Sequence, residues 1–408
     1  MKRYDLVVVG AGPAGSCAAA SAARAGMRVA LLERERLPRH KTCGGGIPMT
    51  IASSIRDLAP GAFVECVVRQ MRLTWQFGDP ALASIDAPDS DRDVAIWMVR
   101  RCVFDLALAE RAARLGAELI EGVRVREVVE EPDGVRVRGE ASKGAGAWMA
   151  RAEYVIGSDG ANGVVARCAG LRRSRTLAIA MEVEHPHRWG EGRPELSPQV
   201  MHLDFGSVPY GYAWAFPKAD HLNVGAGVLR PLAGMGQGNA ELRDDLRNAI
   251  TNYMAALGVD FDPSAAEWHA HPLPVWSGRE RLHTRSGRIL LAGDAAGLVN
   301  PLFGDGILHA VRSGEIAGAC VAEGAASEYT RRIHDRFARN FDAARRMAGF
   351  FYRWTRLCYA HGVKRPGAAH TAALLLAGEA PFPEFAARAM RRFRSALRQD
   401  ARLGHERP

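Results

Sequence analysis

Gly10-Ala11-Gly12-Pro13-Ala14-Gly15 decides how the rest of this chain is read. The six residues follow an apolar run, Tyr4–Val9, that reads as a strand. They open an Ala-rich stretch, Pro13–Ala25, that reads as a helix. Arg28–Leu32 is a second buried strand, so the chain begins βαβ. In that setting the first glycine permits a tight turn, the second lets backbone approach a pyrophosphate, and the third lets the helix lie on the sheet. The phosphates then meet the positive end of the helix. An acid about 20 residues on should bind a ribose diol. Glu33 stands 18 residues after Gly15. A bare GxGxxG can be a structural turn. Strand, helix and acid together place a nucleotide against Gly10, Gly12, Ala14, Gly15, Glu33 and Arg34.

Two later segments make that nucleotide FAD rather than NAD. Gly157-Ser158-Asp159-Gly160-Ala161-Asn162 follows the buried strand Tyr154–Gly157, and Gly293-Asp294-Ala295-Ala296-Gly297 follows the strand Arg288–Ala292. Asp294 can accept a hydrogen bond from a ribityl hydroxyl. The loop through Pro301 and Gly304-Asp305-Gly306 leads into a helix beginning near Ile307. N–H groups at that helix start can stabilise negative charge on a reduced flavin. Each Asp-Gly pair alone can be a turn; three such segments in this order are an FAD site.

The chain has 408 residues, 48% hydrophobic and 24% charged, which allows two or three domains with a large core. No apolar run is long enough to span a bilayer, and residues 1–10 do not read as a signal peptide, so a cytoplasmic protein is expected. Seven scattered cysteines without a CxxC pair fit neither a disulfide framework nor a zinc site. His269 and His271 lack an acidic or thiol partner in sequence, so no metal is expected. The net charge is +9, and residues 331–408 hold 17 Lys/Arg against 6 Asp/Glu. That excess points to an anionic partner or to a solvated helix face.

Hydrophobic periodicity fixes the organisation. Phe104–Leu115 reads as a helix, and Gly122–Arg138 as two strands turning at Pro132-Asp133-Gly134. Period-2 faces appear at Met71/Leu73/Trp75/Phe77, at Met201/Leu203/Phe205, at Tyr210/Tyr212/Trp214/Phe216 and at Leu222/Val224/Ala226/Val228. Such strands make a mostly antiparallel sheet. The fold class is therefore α/β: a Rossmann-type FAD-binding domain (1–70, 96–170 and 280–325) interleaved with a mostly antiparallel β-sheet substrate domain (71–95 and 171–279). A basic helical region (326–408) closes the chain.

Three stretches carry the second half of the site. Tyr210, Tyr212, Trp214 and Phe216 make one face of a strand aromatic, while Gly211, Ala213 and Ala215 leave the other flat. The flat face needs something packed closely on it. The aromatic face suits a long apolar ligand, or is ordinary core. Lys41-Thr42-Cys43-Gly44-Gly45-Gly46-Ile47 has three successive glycines, which permit backbone shapes closed to other residues. His269-Ala270-His271-Pro272-Leu273-Pro274 is the third.

With these motifs the chain resembles the geranylgeranyl reductase family, flavoproteins shaped like para-hydroxybenzoate hydroxylase. The resemblance covers roughly residues 4–325. It rests most specifically on the pattern PxxYxWxFPxxxxxxxG, met by Pro209, Tyr212, Trp214, Phe216, Pro217 and Gly225. It implies that Arg101, ahead of Phe104-Asp105, contacts the FAD pyrophosphate, with Arg100 an alternative. It also implies that the loop Cys43, Gly44, Gly45 and Gly46 lies at the flavin with Cys43 toward substrate. Relatives usually carry Pro where Thr42 stands.

The implied activity is reduction of isolated C=C bonds in a geranylgeranyl or similar prenyl chain, by hydride from the flavin and a proton from Cys43 or water. A monooxygenase or halogenase of the same fold is the alternative enzyme, and a non-catalytic isoprenoid-binding flavoprotein the alternative binder. No second dinucleotide fingerprint is present, so NADPH binding transiently or reduced ferredoxin would supply electrons. In the tail, Phe382, Phe385, Ala386, Ala389, Met390, Phe393, Ala396 and Leu397 recur at helical spacing, with Arg388, Arg391, Arg394 and Arg398 off that face. Such a helix can dock peripherally on a membrane or pack on the protein's own core. No nucleic-acid partner is expected.

Overall fold

The computed structural model describes residues 1–86, 93–142, 146–172, 176–190, 196–229 and 239–403, with side chains of the last helix as far as Arg392. Its first sheet is parallel at its centre, in the order Glu118–Glu121, Val29–Glu33, Lys2–Val9, Ala147–Gly157 and Ile289–Leu291. Leu6, Val7, Val8 and Leu31 are fully buried there, as continuous apolar strands covered on both faces must be. The hairpin Val123–Glu131 and Gly134–Ala141, turning at Pro132-Asp133, joins the early half of Ala147–Gly157 antiparallel.

Two helices, Pro13–Arg24 and Ile307–Ala322, pack on one another almost backbone to backbone. A Cβ on Gly314 would lie 2.1 Å from the Ala14 carbonyl oxygen, and one on Gly318 would lie 2.4 Å from that of Ala18. Small residues are thus required on both partners, which explains the Ala-rich first helix.

The second sheet has seven strands in the order His269–Val275, Thr176–Pro186, His221–Val228, Gly211–Pro217, Val200–Phe205, Gln70–Trp75 and Gly78–Ser84. Every pairing is antiparallel except that of Val200–Phe205 with Gln70–Trp75. Ala213, Ala215, Leu222, Val224 and Ala226 form its outer face and pack on Leu242, Leu246, Ile250 and Tyr253 of the helix Asn239–Ala256. This helix is what lies on the flat side of the aromatic strand. Two residues depart from the period-2 reading. Phe77 and Tyr210 have φ of 66° and 59° and lie outside the strands. Phe77 leaves the Met71/Leu73/Trp75 face and stacks on Tyr253, ring centroids 5.1 Å apart.

A small third sheet, Gly46–Pro48, Ile96–Val99 and Val64–Val68, sits between the other two and anchors the triple-glycine loop. The C-terminal helices Arg339–Arg353, Ala368–Ala377 and Phe382–Leu403 close the structure. Ala343, Ala344, Leu375 and Phe382 pack with Leu229, Val299 and Leu302. Phe382 is 3% exposed, so with half-buried Phe385 it faces inward rather than toward a lipid surface. The side chains of Phe393, Arg394, Ala396, Leu397 and Arg398 lie outside the described residues. Among the described residues no helix is long and apolar enough to cross a membrane.

Candidate flavin and substrate site

A single cavity of about 1720 Å³ runs from the glycine turn to the C-terminal helices. Ordinary small-ligand pockets hold roughly 300–1,000 Å³, so there is room for a dinucleotide and a second ligand together. One arm is polar and the other apolar.

The polar arm is built at the ends of the parallel strands. Gly10 has φ +99°, and a Cβ there would meet the Ser158 carbonyl at 2.6 Å. Gly15 closes on Gly10, where a Cβ would stand 1.9 Å from the Gly10 oxygen. Over Gly12, by contrast, the nearest atom is Arg39 Nη2 at 3.9 Å. The turn is thus closed behind and open in front, the shape a diphosphate needs. Glu33 accepts the Ala11 N–H at 3.2 Å and is paired with Arg39 at 3.3 Å. Arg39 continues to Asp105 at 3.0 Å, and Asp105 to Arg101 at 2.8 Å. Arg39, Lys41 and Arg101 thus bring cations to an arm whose carboxylates include Glu33, Asp159, Asp294 and Asp305. At the far side, Asp294 and the helix start at Gly306-Ile307 face the same space. The residues present fit FAD.

The loop Cys43–Gly46 stands where the arms meet. Gly45 has φ +68°, and a Cβ there would press on the Val99 carbonyl at 2.1 Å, so only glycine fits. Lys218, 1% exposed, donates from Nζ to the Gly44 and Val99 carbonyl oxygens at 2.7 and 2.9 Å. Burial pushes its ammonium down to about 8. Glu182 Oε1 accepts the Cys43 N–H at 2.7 Å, and Cys43 Sγ accepts that of Gly45 at 3.4 Å. Burial pushes the Glu182 carboxyl up to about 7. Burial and then Lys41 push His271, on the same wall, down to about 3, so its ring is neutral.

The apolar arm follows from sheet register. Glu182 pairs with Gly225, Gly225 with Trp214, Trp214 with Leu203, and Leu203 with Leu73. Directly opposed residues share a face, so these five form one row across the sheet, and all but Gly225 line the cavity. The Trp214 ring lies over the glycine: a Cβ on Gly225 would be 2.2 Å from it. Trp214 Nε1–H donates to Asn223 Oδ1 at 2.8 Å. Phe216 lies over Gly44, and Tyr212 donates to the Phe303 carbonyl at 2.5 Å. Beyond them Met201, Phe205, Met347, Phe351, Leu376, Phe385 and Met390 complete an apolar tunnel.

Most residues singled out in the sequence meet at this cavity: Gly10, Gly12, Ala14, Glu33, Arg34, Cys43, Gly44, Gly45, Gly46, Arg101, Asp159, Asp294, Gly304, Gly306, Ile307, Tyr212, Trp214 and Phe216. Gly15, Gly293 and Pro301 stand behind the wall; a Cβ on Gly293 would meet Ala14 Cβ at 2.9 Å. Tyr210 and Pro217 also lie off the wall, one before the aromatic strand begins and one at its end. Arg100 turns away to Glu65 and Asp220, at 3.0 and 2.6 Å, so that of the two neighbours Arg101 is the one that lines the cavity. Asp159 Oδ2 accepts the N–H groups of Val164 and Val165 and so caps a short helix. Sequence reasoning missed Arg39, Glu182, Lys218 and the C-terminal wall. Glu182 had one signal: an acid that continues the small-residue face Ala178/Ala180 of its strand. Among the described residues no cluster of His, Cys, Asp or Glu is arranged to hold a metal.

Residues 3–190 match the FAD binding domain family. The chain is 31% identical to the chloroplastic geranylgeranyl diphosphate reductase of Oryza sativa subsp. japonica, over 83% of this chain and 71% of that protein. It is 30% identical to digeranylgeranylglycerophospholipid reductase 1 of Methanopyrus kandleri, over 85% of this chain and 90% of the relative. In fold it is similar to a geranylgeranyl bacteriochlorophyll reductase-like protein from Thermoplasma acidophilum. The TM-score is 0.76 at 21% identity, covering 96% of this chain and 100% of that one.

Proposed function

Because the chain belongs to the geranylgeranyl reductase family of FAD-dependent oxidoreductases, we propose that it reduces isolated C=C bonds in a geranylgeranyl or similar prenyl chain. The observation that supports this most is the continuity of the cavity. Its polar arm fits a dinucleotide, its apolar arm fits a long hydrocarbon, and the Cys43–Gly46 loop is their junction.

Reduced FAD supplies the hydride. The chain's own contribution is alignment, exclusion of water and a proton. An unactivated alkene is a poor acceptor, so most of the rate enhancement must come from holding the double bond in a reactive pose. Tyr212, Trp214 and Phe216 form the side of the arm against which the alkene lies. Tyr212 and Trp214 spend their polar hydrogens on Phe303 and Asn223 and present only ring surface. Arg39 and Arg101 would hold the pyrophosphate, Glu33 the ribose and Asp294 the ribityl chain. Cys43 lines the junction beside the double bond. NADPH or reduced ferredoxin is the electron donor. Diphosphate, glycerophospholipid and chlorophyll-precursor carriers all suit the same arm, and exposed Arg388, Arg391 and Arg392 are the surface that meets an anionic membrane supplying them.

The test is mass spectrometry of prenyl lipids from a host expressing the protein. Gains of two hydrogens per reduced bond are expected. Prenyl lipids unchanged in mass, together with reduced flavin that reoxidises only with oxygen, would sink the proposal.

A further inference from the structure

Glu182 Oε2 is a buried polar atom of a cavity-wall residue that the roles above do not use. Glu182 is 1% exposed, and its two carboxyl oxygens differ. Oε1 accepts the Cys43 N–H. Oε2 is buried with no hydrogen-bond partner. The Asn223 amide lies close enough to favour the ionised form, but its Nδ2 makes no hydrogen bond to Oε2, and both atoms are left without a partner. A buried carboxylate oxygen without a partner is costly; the same oxygen bearing a proton is far less so. Glu182 also belongs to the sheet row that runs through Gly225 to Trp214, Leu203 and Leu73. With no side chain at Gly225, nothing on that strand stands between the carboxyl and the Trp214 ring. The acid therefore sits at the end of the apolar arm nearest the Cys43 loop.

We propose that Glu182 is the general acid of this site, its Oε2 carrying the proton delivered to the double bond. This rests on the reductase reading above. One alkene carbon uses the π electron pair to take the proton from Oε2. Its neighbour takes the hydride for which reduced FAD is the source. Glu182 is left as a carboxylate and recovers a proton from water before the next turnover. Cys43 is less suited to the task, because its sulfur already accepts the Gly45 N–H and interacts with the Arg101 guanidinium.

The groups facing Glu182 agree with this assignment. Burial is the largest influence raising its carboxyl to about 7, and Glu184 on the same strand adds to it. The Cys43 N–H and Lys218 oppose the shift without cancelling it. His269 stands opposite on the neighbouring strand, stacked on His40 with ring centroids 3.9 Å apart. An acid titrating near neutrality is matched to proton delivery under ordinary conditions.

The experiment uses FAD-loaded protein reduced with dithionite and mixed with geranylgeranyl diphosphate without oxygen. Infrared spectra of the same protein are recorded as a function of pH. The wild type should lose alkene reduction as pH rises through about 7 and should show a protonated carboxyl band fading over that range. Glu182→Gln keeps an oxygen for the Cys43 N–H. It should keep its flavin spectrum, lose that band and slow alkene reduction by at least about 100-fold. Cys43→Ala should keep the band and the alkaline loss. A Glu182→Gln rate within a few-fold of wild type overturns the assignment while leaving the reductase reading intact. So does a wild type without a carboxyl band titrating near neutrality, whether or not the variant folds. A wild type that reduces no prenyl chain overturns both.

Discussion

Trp214 is held at two points: its indole N–H donates to Asn223 and lies close to Gly44, and its ring fills the space left by the missing side chain of Gly225. At 7% exposure, truncation to alanine should cost about 3–5 kcal/mol of stability. The Trp214→Ala protein that still folds should keep its yellow flavin spectrum while prenyl reduction falls. A folded, flavin-loaded variant of normal activity would take the ring out of the substrate arm. Glu182 predicts a pH effect on stability itself. Its folded value of about 7 lies above the ordinary 4.5, so the stabilising proton is fully held below 4.5 and lost as pH rises through 7. Stability should decline over that window by about 3 kcal/mol, and Glu182→Gln should flatten it in denaturant titrations at several pH values. The glycine turn and Glu33 were legible because local spacing alone defines them. Glu182 was not, because its meaning comes from a strand register that pairs residue 182 with 225 and 225 with 214.

Among the elements, the crossing of Pro13–Arg24 with Ile307–Ala322 is the tightest. In an exposed helix Gly→Ala would gain roughly 1 kcal/mol of helix propensity. At Gly314 the new methyl would stand 2.1 Å from a backbone oxygen that cannot swing aside. Overpacking of this kind costs about 1–3 kcal/mol, so sterics should win and Gly314→Ala should lower the melting temperature. FAD affinity should fall with it, since Ala14 belongs to the turn; equal FAD affinity in a flavin-titration assay would show the turn to be insulated from the helix crossing. In the described part of the last helix Phe382 and Phe385 face inward and Arg388, Arg391 and Arg392 are exposed, as an amphipathic reading expects, but the partner of the apolar side was not legible. Periodicity marks which side is apolar and is silent on what covers it. Removal of residues 382–408 should uncover the apolar arm and raise binding of a hydrophobic dye, with a smaller effect on liposome co-sedimentation. The reverse ranking would make this helix a membrane anchor first and a wall second.

Across the whole molecule, the α/β class and the interleaving of two sheets could be read from where apolar strands alternate with Gly/Asp loops. Their joining into one cavity could not, since it depends on the C-terminal helices returning over the second sheet. The strand Ala147–Gly157 shows how far apart in sequence the parts are: it takes Lys2–Val9 as one neighbour and Ile289–Leu291 as another. That arrangement has a consequence in time. A chain emerging from the ribosome makes its glycine turn first, but nothing can complete the flavin site until residues 289–322 have followed. Contacts separated by so much sequence form slowly, and partly made chains expose apolar surface while they wait. FAD must therefore arrive after synthesis is nearly finished, as a late clamp on an almost folded chain. A fragment ending at residue 288 should stay colourless when supplied with FAD, and one ending at residue 325 should take it up. Flavin absorbance on the shorter fragment would show that the turn and Glu33 recruit the cofactor before the sheet is complete.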